Sequence, residues 1–425
     1  MKRRVVITGL GVVAPNGIGK EQFWEACVAG KSGIRRITHF DASSLPSQIA
    51  GEVPDFDPAA LGLTEVETRY TDRNTQFALT SASMALEDAG LLGRLSEQER
   101  DEIGVYMGSA MASSAEGEKL WVKLTQRGTR VPSNGHNGYV PPTLVMTHAP
   151  AAAIATHHQL HGSCMVISTG CSAGGDAIGE AYWAIQEGKM TRMLAGGADS
   201  AISLAGMDVF CVLGAVSTRN ADPERASRPY DKLRDGFVMA EGAGVLLLEE
   251  RELALTRGAH IYAEIIAFGT NCNAHHMTAL PPDGMPLQEL LHQTLDAADI
   301  TGAELDYINS HGSSTPSNEV AETAAYKAVF GEQAYHIPIS ATKSMIGHTQ
   351  GAASAIETIV TALVVDRQII PPTINQEESD PNCDLDYVPN IARRAAVKVA
   401  LTHSSGFGGV NSALVLVRPD WLDQR

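Results

Sequence analysis

Several features that mark large protein classes are scarce in this sequence. Lysine and arginine number 32 against 49 aspartates and glutamates, a formal net charge of −17. Binding to nucleic acid needs a basic face that displaces counterions, so general nucleic-acid binding is excluded, though a local basic patch for an acidic partner is not. The six cysteines (Cys27, Cys164, Cys171, Cys211, Cys272 and Cys383) are scattered, with no CxxC and no metal-ligand spacing. Neither a disulfide framework nor a metal site is expected, and a reducing, cytoplasmic setting fits best. No apolar run approaches the roughly 20 residues that a membrane helix requires. The opening stretch MKRRVVITGLGVV has the basic start of a signal peptide. Its apolar part is broken by Gly9 and Gly11 and no small-residue cleavage pattern follows, so a first β-strand is expected there. Low-complexity linkers and short-period repeats are missing too.

What is present is globular. The 425 residues are 44% hydrophobic and 19% charged, more than one ordinary core holds, so two domains or two α/β halves are expected. Strand-like runs at Arg4–Thr8, Ile103–Met107, Met165–Ile167 and Gly244–Glu249 alternate with helical stretches at Gln76–Ala89 and Asp176–Gln186. Beyond a soft division near residue 255 the style repeats. Strands are expected at Ile261–Phe268, Asp306–Asn309, Ile337–Ser340, Lys398–Leu401 and Ala413–Val417, and helices at Leu287–Ala298, Glu319–Val329 and Ala352–Val365. This alternation predicts mainly parallel sheets covered on both faces.

Four stretches carry candidate chemistry. In STGCSAGGDAIG (168–179), a strand gives way to a helix at Cys171. A sulfur there meets unpaired backbone N–H groups and the positive end of a helix dipole, which favour thiolate; the same residue also serves as a small filler at a crowded turn. In YINSHGSSTPSN (307–318), His311 ends a strand ahead of a hydroxyl cluster, which reads either as a polar-chain site or as a helix-capping loop. In SATKSMIGHTQ (340–350), Lys343 and His348 straddle a turn. Two imidazoles can donate hydrogen bonds to one carbonyl oxygen as it becomes an enolate, with a lysine biasing the field. In SSGFGGVN (404–411), the glycines can bring backbone N–H groups to a developing oxyanion with Phe407 as a shield, or form a surface loop.

A competing motif lies at Gly9–Ala14, which fits the dinucleotide fingerprint G-x-G-x-x-G/A. The following Pro15-Asn16-Gly17 signals a continuing turn rather than a pyrophosphate-binding helix, and no acidic residue stands about 20 positions on. A nicotinamide-dependent oxidoreductase is therefore disfavoured.

Taken in order, KRRVVITGLGVVAP, GYVPPTLVM (138–146), STGCSAG, STRNADPERASRPYDKLRDGFVMAEGAG (217–244), YINSHGSSTP, TKSMIGH, PPTIN (371–375), CDLDYVP (383–389) and GFGG resemble the β-ketoacyl synthases. These are the condensing enzymes of fatty-acid and polyketide assembly. The resemblance implies a thiolase-like fold, two related halves (1–255 and 256–425) in α-β-α-β-α layers, and an obligate dimer. It implies that Cys171 carries an acyl chain, that His311 and His348 polarise a malonyl thioester, and that Lys343 supports them. Phe407 becomes a gate whose N–H, with that of Cys171, forms an oxyanion hole. Ser313, Thr315 and Thr278 are expected in the pantetheine channel and Met111 near the acyl pocket. No metal or nucleotide cofactor is implied, because substrates arrive on the phosphopantetheine arm of an acyl carrier protein; Arg35, Arg36 and Lys232 are available to dock it. TGC, Ser313 and NCNAHHMT (271–278) are closer to the ketosynthase alpha subunit of type II polyketide systems, which pairs with a cysteine-less chain-length factor. The alternative is a homodimeric fatty-acid β-ketoacyl-ACP synthase II. Thr402–Ser405 departs from the fatty-acid pattern beside the gate. A silent chain-length factor is disfavoured by the presence of Cys171.

Overall fold

The computed structural model describes residues 2–130 and 146–425. The motif at 138–146 thus lies, apart from Met146, outside the described residues. Strand β1 (Val5–Ala14) is buried along its whole length and runs straight through the glycine motif. A Cβ on Gly9 would lie 2.1 Å from the Ala85 carbonyl oxygen, and one on Gly11 1.9 Å from that of Ser81. Both carbonyls belong to helix α1 (Arg73–Asp88). The glycines therefore let a helix lie directly on a strand. No phosphate-binding turn forms at this motif, and the dinucleotide reading lapses.

Among the described residues nine further strands of the main sheet follow: β2 (Ile103–Gly108), β3 (Cys164–Ile167), β4 (Arg192–Asp199), β5 (Gly242–Glu250), β6 (Ala263–Cys272), β7 (Tyr307–Asn309), β8 (Ile339–Ser340), β9 (Val399–Ser405) and β10 (Val410–Val417). Among the described residues they line up as β8-β7-β9-β10-β6-β1-β5-β4-β2-β3, with the short Gly17–Ile18 strand paired to β1. The strands β1–β5 and the strands β6–β10 take the same order, each with its third member at the outer edge and its first at the centre. The pairing senses repeat as well. β2 is parallel to β3 and β4, while β5 is antiparallel to β4 and β1. Correspondingly β7 is parallel to β8 and β9, while β10 is antiparallel to β9 and β6.

The expectation of mainly parallel sheets is thus corrected to a mixed sheet. Crossover helices return the chain in the same direction, giving the parallel triplets. No crossover separates β9 from β10, which are joined by the hairpin at Gly406–Gly409 and must run antiparallel.

Helices α1 and α2 (Ala149–His158) cover the β1–β5 side; α4 (Met285–Ala298) packs on β6 and β10, with α5 (Asn318–Phe330) against it. Between the strand sets lie α3 (Ala173–Gln186) and α6 (Ala353–Arg367), which touch each other. The result is the expected five-layer α-β-α-β-α arrangement. In α6 every side chain from Ala353 to Val365 is buried, as befits a helix with sheet on either side. Among the described residues no helix is long and apolar enough to cross a membrane.

Candidate active site

Strand β3 ends at Ile167, and the chain turns through Gly170 (φ 67°) into a short 3₁₀ turn, Gly170–Ser172, that leads directly into α3. A positive φ is inexpensive only for glycine, so the residue before the nucleophile permits the sharp strand-to-helix turn. Cys171 sits at the apex, 9% exposed.

His311 follows β7 and His348 follows the short helix Lys343–Ile346 after β8. Their rings meet edge to face, 5.3 Å between centres. His348 Nδ1 accepts the Gln350 N–H at 3.2 Å, so its proton lies on Nε2, 3.1 Å from the Cys171 sulfur. His311 is fixed the same way: the Lys343 ammonium donates to its Nδ1 at 3.2 Å and to its carbonyl at 2.7 Å. Both histidines therefore carry an Nε2–H. Burial, followed by the Lys343 charge, holds both imidazoles well below the usual histidine range, so both are neutral near pH 7.

Lys343 does not line the cavity. Its third hydrogen bond goes to Glu357 Oε1 at 2.5 Å, in the middle of α6. It is a positioning residue for His311 rather than a group that reaches substrate. The expectation of a resting thiolate is also corrected. Burial pushes the Cys171 thiol up to about 11, against the opposing pull of Lys343 and the Phe407 backbone N–H. Enclosure in the protein outweighs the helix end.

A cavity of about 190 Å³ opens onto Cys171, His311 and His348, and Ser313, Thr315, Thr278 and Phe407 line it too. Ser313 and Thr315 hydroxyls are 3.0 Å apart. Phe407 sits in the β9–β10 hairpin, 39% exposed, its ring 6.2 Å from that of Phe210. Gly408 and Gly409 beside it have φ of 86° and 81°. The GFGG run is therefore part of the site rather than a remote loop. Met111 is not on the cavity wall. It packs from behind, against the apolar cluster that contains Phe210 and Phe237, because its backbone N–H is tied to Asp199 at 3.1 Å. Arg36 is engaged internally by Gln48 and the Asn220 carbonyl.

Sequence reasoning passed over the acids and hydroxyls beneath the site. Asp199, at the end of β4, accepts from Ser109 Oγ and from the N–H groups of Ala110, Met111 and Gly351, binding the β2 loop to the start of α6. Burial raises it to about 6. Glu319 and Glu322 accept the Ser314 and Gly312 N–H groups and so clamp the loop after His311. Ser404 Oγ lies 3.1 Å from both His311 Nδ1 and the Cys171 carbonyl. One signal was available: a lone glutamate in the otherwise apolar ASAIETIVTALVV needs a buried partner.

The layered fold with a cysteine and two ε-protonated histidines around one cavity defines a thiolase-like condensing site. Residues 2–254 match the beta-ketoacyl synthase N-terminal domain and residues 262–377 its C-terminal domain. The chain belongs to the β-ketoacyl synthase family, acyltransferases that form carbon–carbon bonds. Two relatives span nearly its whole length. The tetracenomycin polyketide synthase ketoacyl synthase alpha subunit of Streptomyces glaucescens is 43% identical over 98% of this chain and 98% of its own. The 3-oxoacyl-[acyl-carrier-protein] synthase 2 of Coxiella burnetii is 44% identical over 98% of this chain and 99% of its own. Among solved structures, a type II PKS acyl-carrier protein in complex with its ketosynthase bound to the hexaketide is similar. It shows 37% identity, a TM-score of 0.91, and coverage of 99% of this chain and 100% of that one.

Proposed function

We propose that this chain is the ketosynthase alpha subunit of a type II polyketide or polyene system, condensing malonyl units carried on acyl carrier protein with an acyl chain held on Cys171. The observation that carries the reading is the His348 Nε2–H beside the Cys171 sulfur, with the ε-protonated His311 ring 5.3 Å from that of His348 on the same cavity.

In the first step Cys171 sulfur bonds to the acyl carbon, the bond to the pantetheine sulfur breaks, and the cysteine proton ends on the released thiol. His348 is not the base, because its Nδ1 lone pair is occupied and its Nε2 already bears hydrogen. In the second step the malonyl carbonyl accepts both Nε2–H groups. The carbon–carbon bond to the carboxylate breaks, carbon dioxide leaves, and the electron pair remains as an enolate that the two hydrogen bonds stabilise. That carbanion attacks the Cys171 thioester. The tetrahedral oxyanion rests on the N–H groups of Cys171 and Phe407, then collapses to expel the cysteine sulfur, which regains one proton from solvent. Each role is filled by a side chain or backbone group of the chain, and we propose that no resident cofactor takes part.

Gly170, Ser313 and the 271–278 loop support the polyketide branch, as does the Streptomyces alpha subunit among the relatives. A partner subunit is proposed along β3. Among the described residues this edge strand is unpaired on its outer side and exposes Cys164 and Met165, and an exposed apolar edge invites another strand. A cytoplasmic location is part of the proposal.

Cys171→Ala is expected to abolish condensation while leaving malonyl decarboxylation, and His311→Ala or His348→Ala to cripple decarboxylation. Full condensing activity in Cys171→Ala would remove the assignment. For the branch, the chain is supplied with malonyl-ACP alone and with a cysteine-less partner, and products are read by mass spectrometry. A fully active homodimer making saturated-chain precursors would place it with the fatty-acid enzymes instead.

A further inference from the structure

The turn that follows His348 carries a side chain that the mechanism leaves unused. Gln350 lines the catalytic cavity together with Cys171, His311 and His348. It is 4% exposed, and its amide Nε2 has no hydrogen-bond partner. Its backbone is accounted for. The φ of 53° is a left-handed conformation uncommon outside glycine, and the N–H it presents goes to His348 Nδ1 at 3.2 Å. Fixing that imidazole requires only the backbone, which almost any residue supplies. A buried amide N–H without an acceptor carries the full cost of desolvation, whereas an apolar side chain of the same length carries none. The cavity is therefore short of one acceptor, at Gln350.

The place of Gln350 decides which atom of a substrate can supply it. The 3₁₀ turn Gln350–Ala352 packs against the turn Gly170–Ser172 that presents the sulfur. The hydroxyls of Ser313 and Thr315 belong instead to the loop after His311 and pair with each other at 3.0 Å. A side chain rooted beside the nucleophile's own turn meets the first few atoms of a chain bound to sulfur. The thioester oxygen of that chain is already assigned to the N–H groups of Cys171 and Phe407, and the malonyl carbonyl to the two imidazoles. The next oxygen of a chain built by decarboxylative condensation lies on its β carbon.

We propose that Gln350 is a specificity-determining residue whose amide N–H donates to the β-keto oxygen of the acyl chain held on Cys171. The inference rests on the reading that Cys171 carries the growing chain, and it names the substrate class more narrowly: an acyl thioester that keeps its β oxygen, rather than a fully reduced one. Both partners are neutral, so the pair forms without a charge to desolvate. A methylene at the same carbon leaves the donor empty, which is how a site built to hydrogen-bond an oxygen rejects the analogue that lacks it.

The test is the rate of Cys171 acylation by acetoacetyl and butyryl thioesters of pantetheine, followed by intact mass on the full chain with its partner. The two probes are equal in length and differ only at the β carbon, and their rates with a simple thiol in solution give the intrinsic ratio. Wild type is expected to favour acetoacetyl about tenfold beyond that ratio. Gln350→Met keeps the length of the side chain without the donor and should return to the intrinsic ratio. Both rates share Cys171 and His348, so a disturbance of either cancels in the comparison. If Gln350→Met is acylated by neither probe, Gln350→Leu carries the same comparison. A wild-type ratio equal to that of the simple thiol, or an excess that survives at Gln350→Met, overturns the inference while leaving the catalytic reading intact. Acylation of wild type by neither thioester overturns the catalytic reading and this inference with it.

Discussion

At the scale of single residues, the site works by fixing which nitrogen carries hydrogen. His348 and His311 are neutral because burial holds them well below the usual imidazole range. Decarboxylation by Cys171→Ala is therefore expected to stay flat from pH 8 down to pH 6; an inflection near 6.5 would show that an imidazole titrates in the working range. Cys171 moves the other way. With burial pushing its thiol up to about 11, iodoacetamide should alkylate the free enzyme about tenfold faster per pH unit between pH 7 and 9. A plateau below pH 8 would contradict it. Lys343 and Glu357 separate position from stability. Lys343→Met leaves the Glu357 carboxyl buried without its donor and should cost about 1–3 kcal/mol of stability, together with most decarboxylation. Adding Glu357→Leu should restore stability, measured by denaturant unfolding, without restoring the rate, since His311 Nδ1 has still lost its ammonium donor.

At the scale of elements, close packing of α1 on β1 sets the tolerance for substitution. Gly11→Val would drive a side chain into the Ser81 carbonyl and is expected to destabilise the fold by about 3 kcal/mol in chemical denaturation. The positions of most strands and helices were legible because apolar periodicity and turn residues agreed, as in α4, where the expected Leu287–Ala298 became Met285–Ala298. The sense of β5 and β10 was not, because direction depends on which strand a segment returns to, and local pattern carries no trace of that. Within the site, Cys171, His311, His348 and Phe407 stood out by residue type and turn context. Asp199, Ser404 and the clamp of Glu319 and Glu322 did not, since their partners lie far away in sequence and nothing local marks them as buried. Met111, expected near the acyl pocket from the family resemblance, packs against the cluster of Phe210 and Phe237 that lines the cavity, its backbone held by Asp199.

For the whole molecule, the buried ionisable groups make a net prediction about pH. Burial raises Glu357 to about 7 and Glu319 to about 8, so between pH 5 and 8 the folded chain holds protons that the unfolded chain has released. Stability from these groups falls as pH rises through that window. The depressed histidines act oppositely but only below about 6.5, the unfolded imidazole value. Thermal unfolding at constant ionic strength should therefore occur at a lower temperature at pH 8.5 than at pH 6.5; a higher one would mean that the glutamates are ionised in the fold. The sheet has one further consequence, for the order of synthesis. Strand β10 follows both β6 and β9 in sequence yet lies between them in the sheet. Until it is made, the hairpin that presents the Phe407 N–H cannot close. A nascent chain that has already emerged with Cys171 thus lacks one N–H of its oxyanion site until β10 is made.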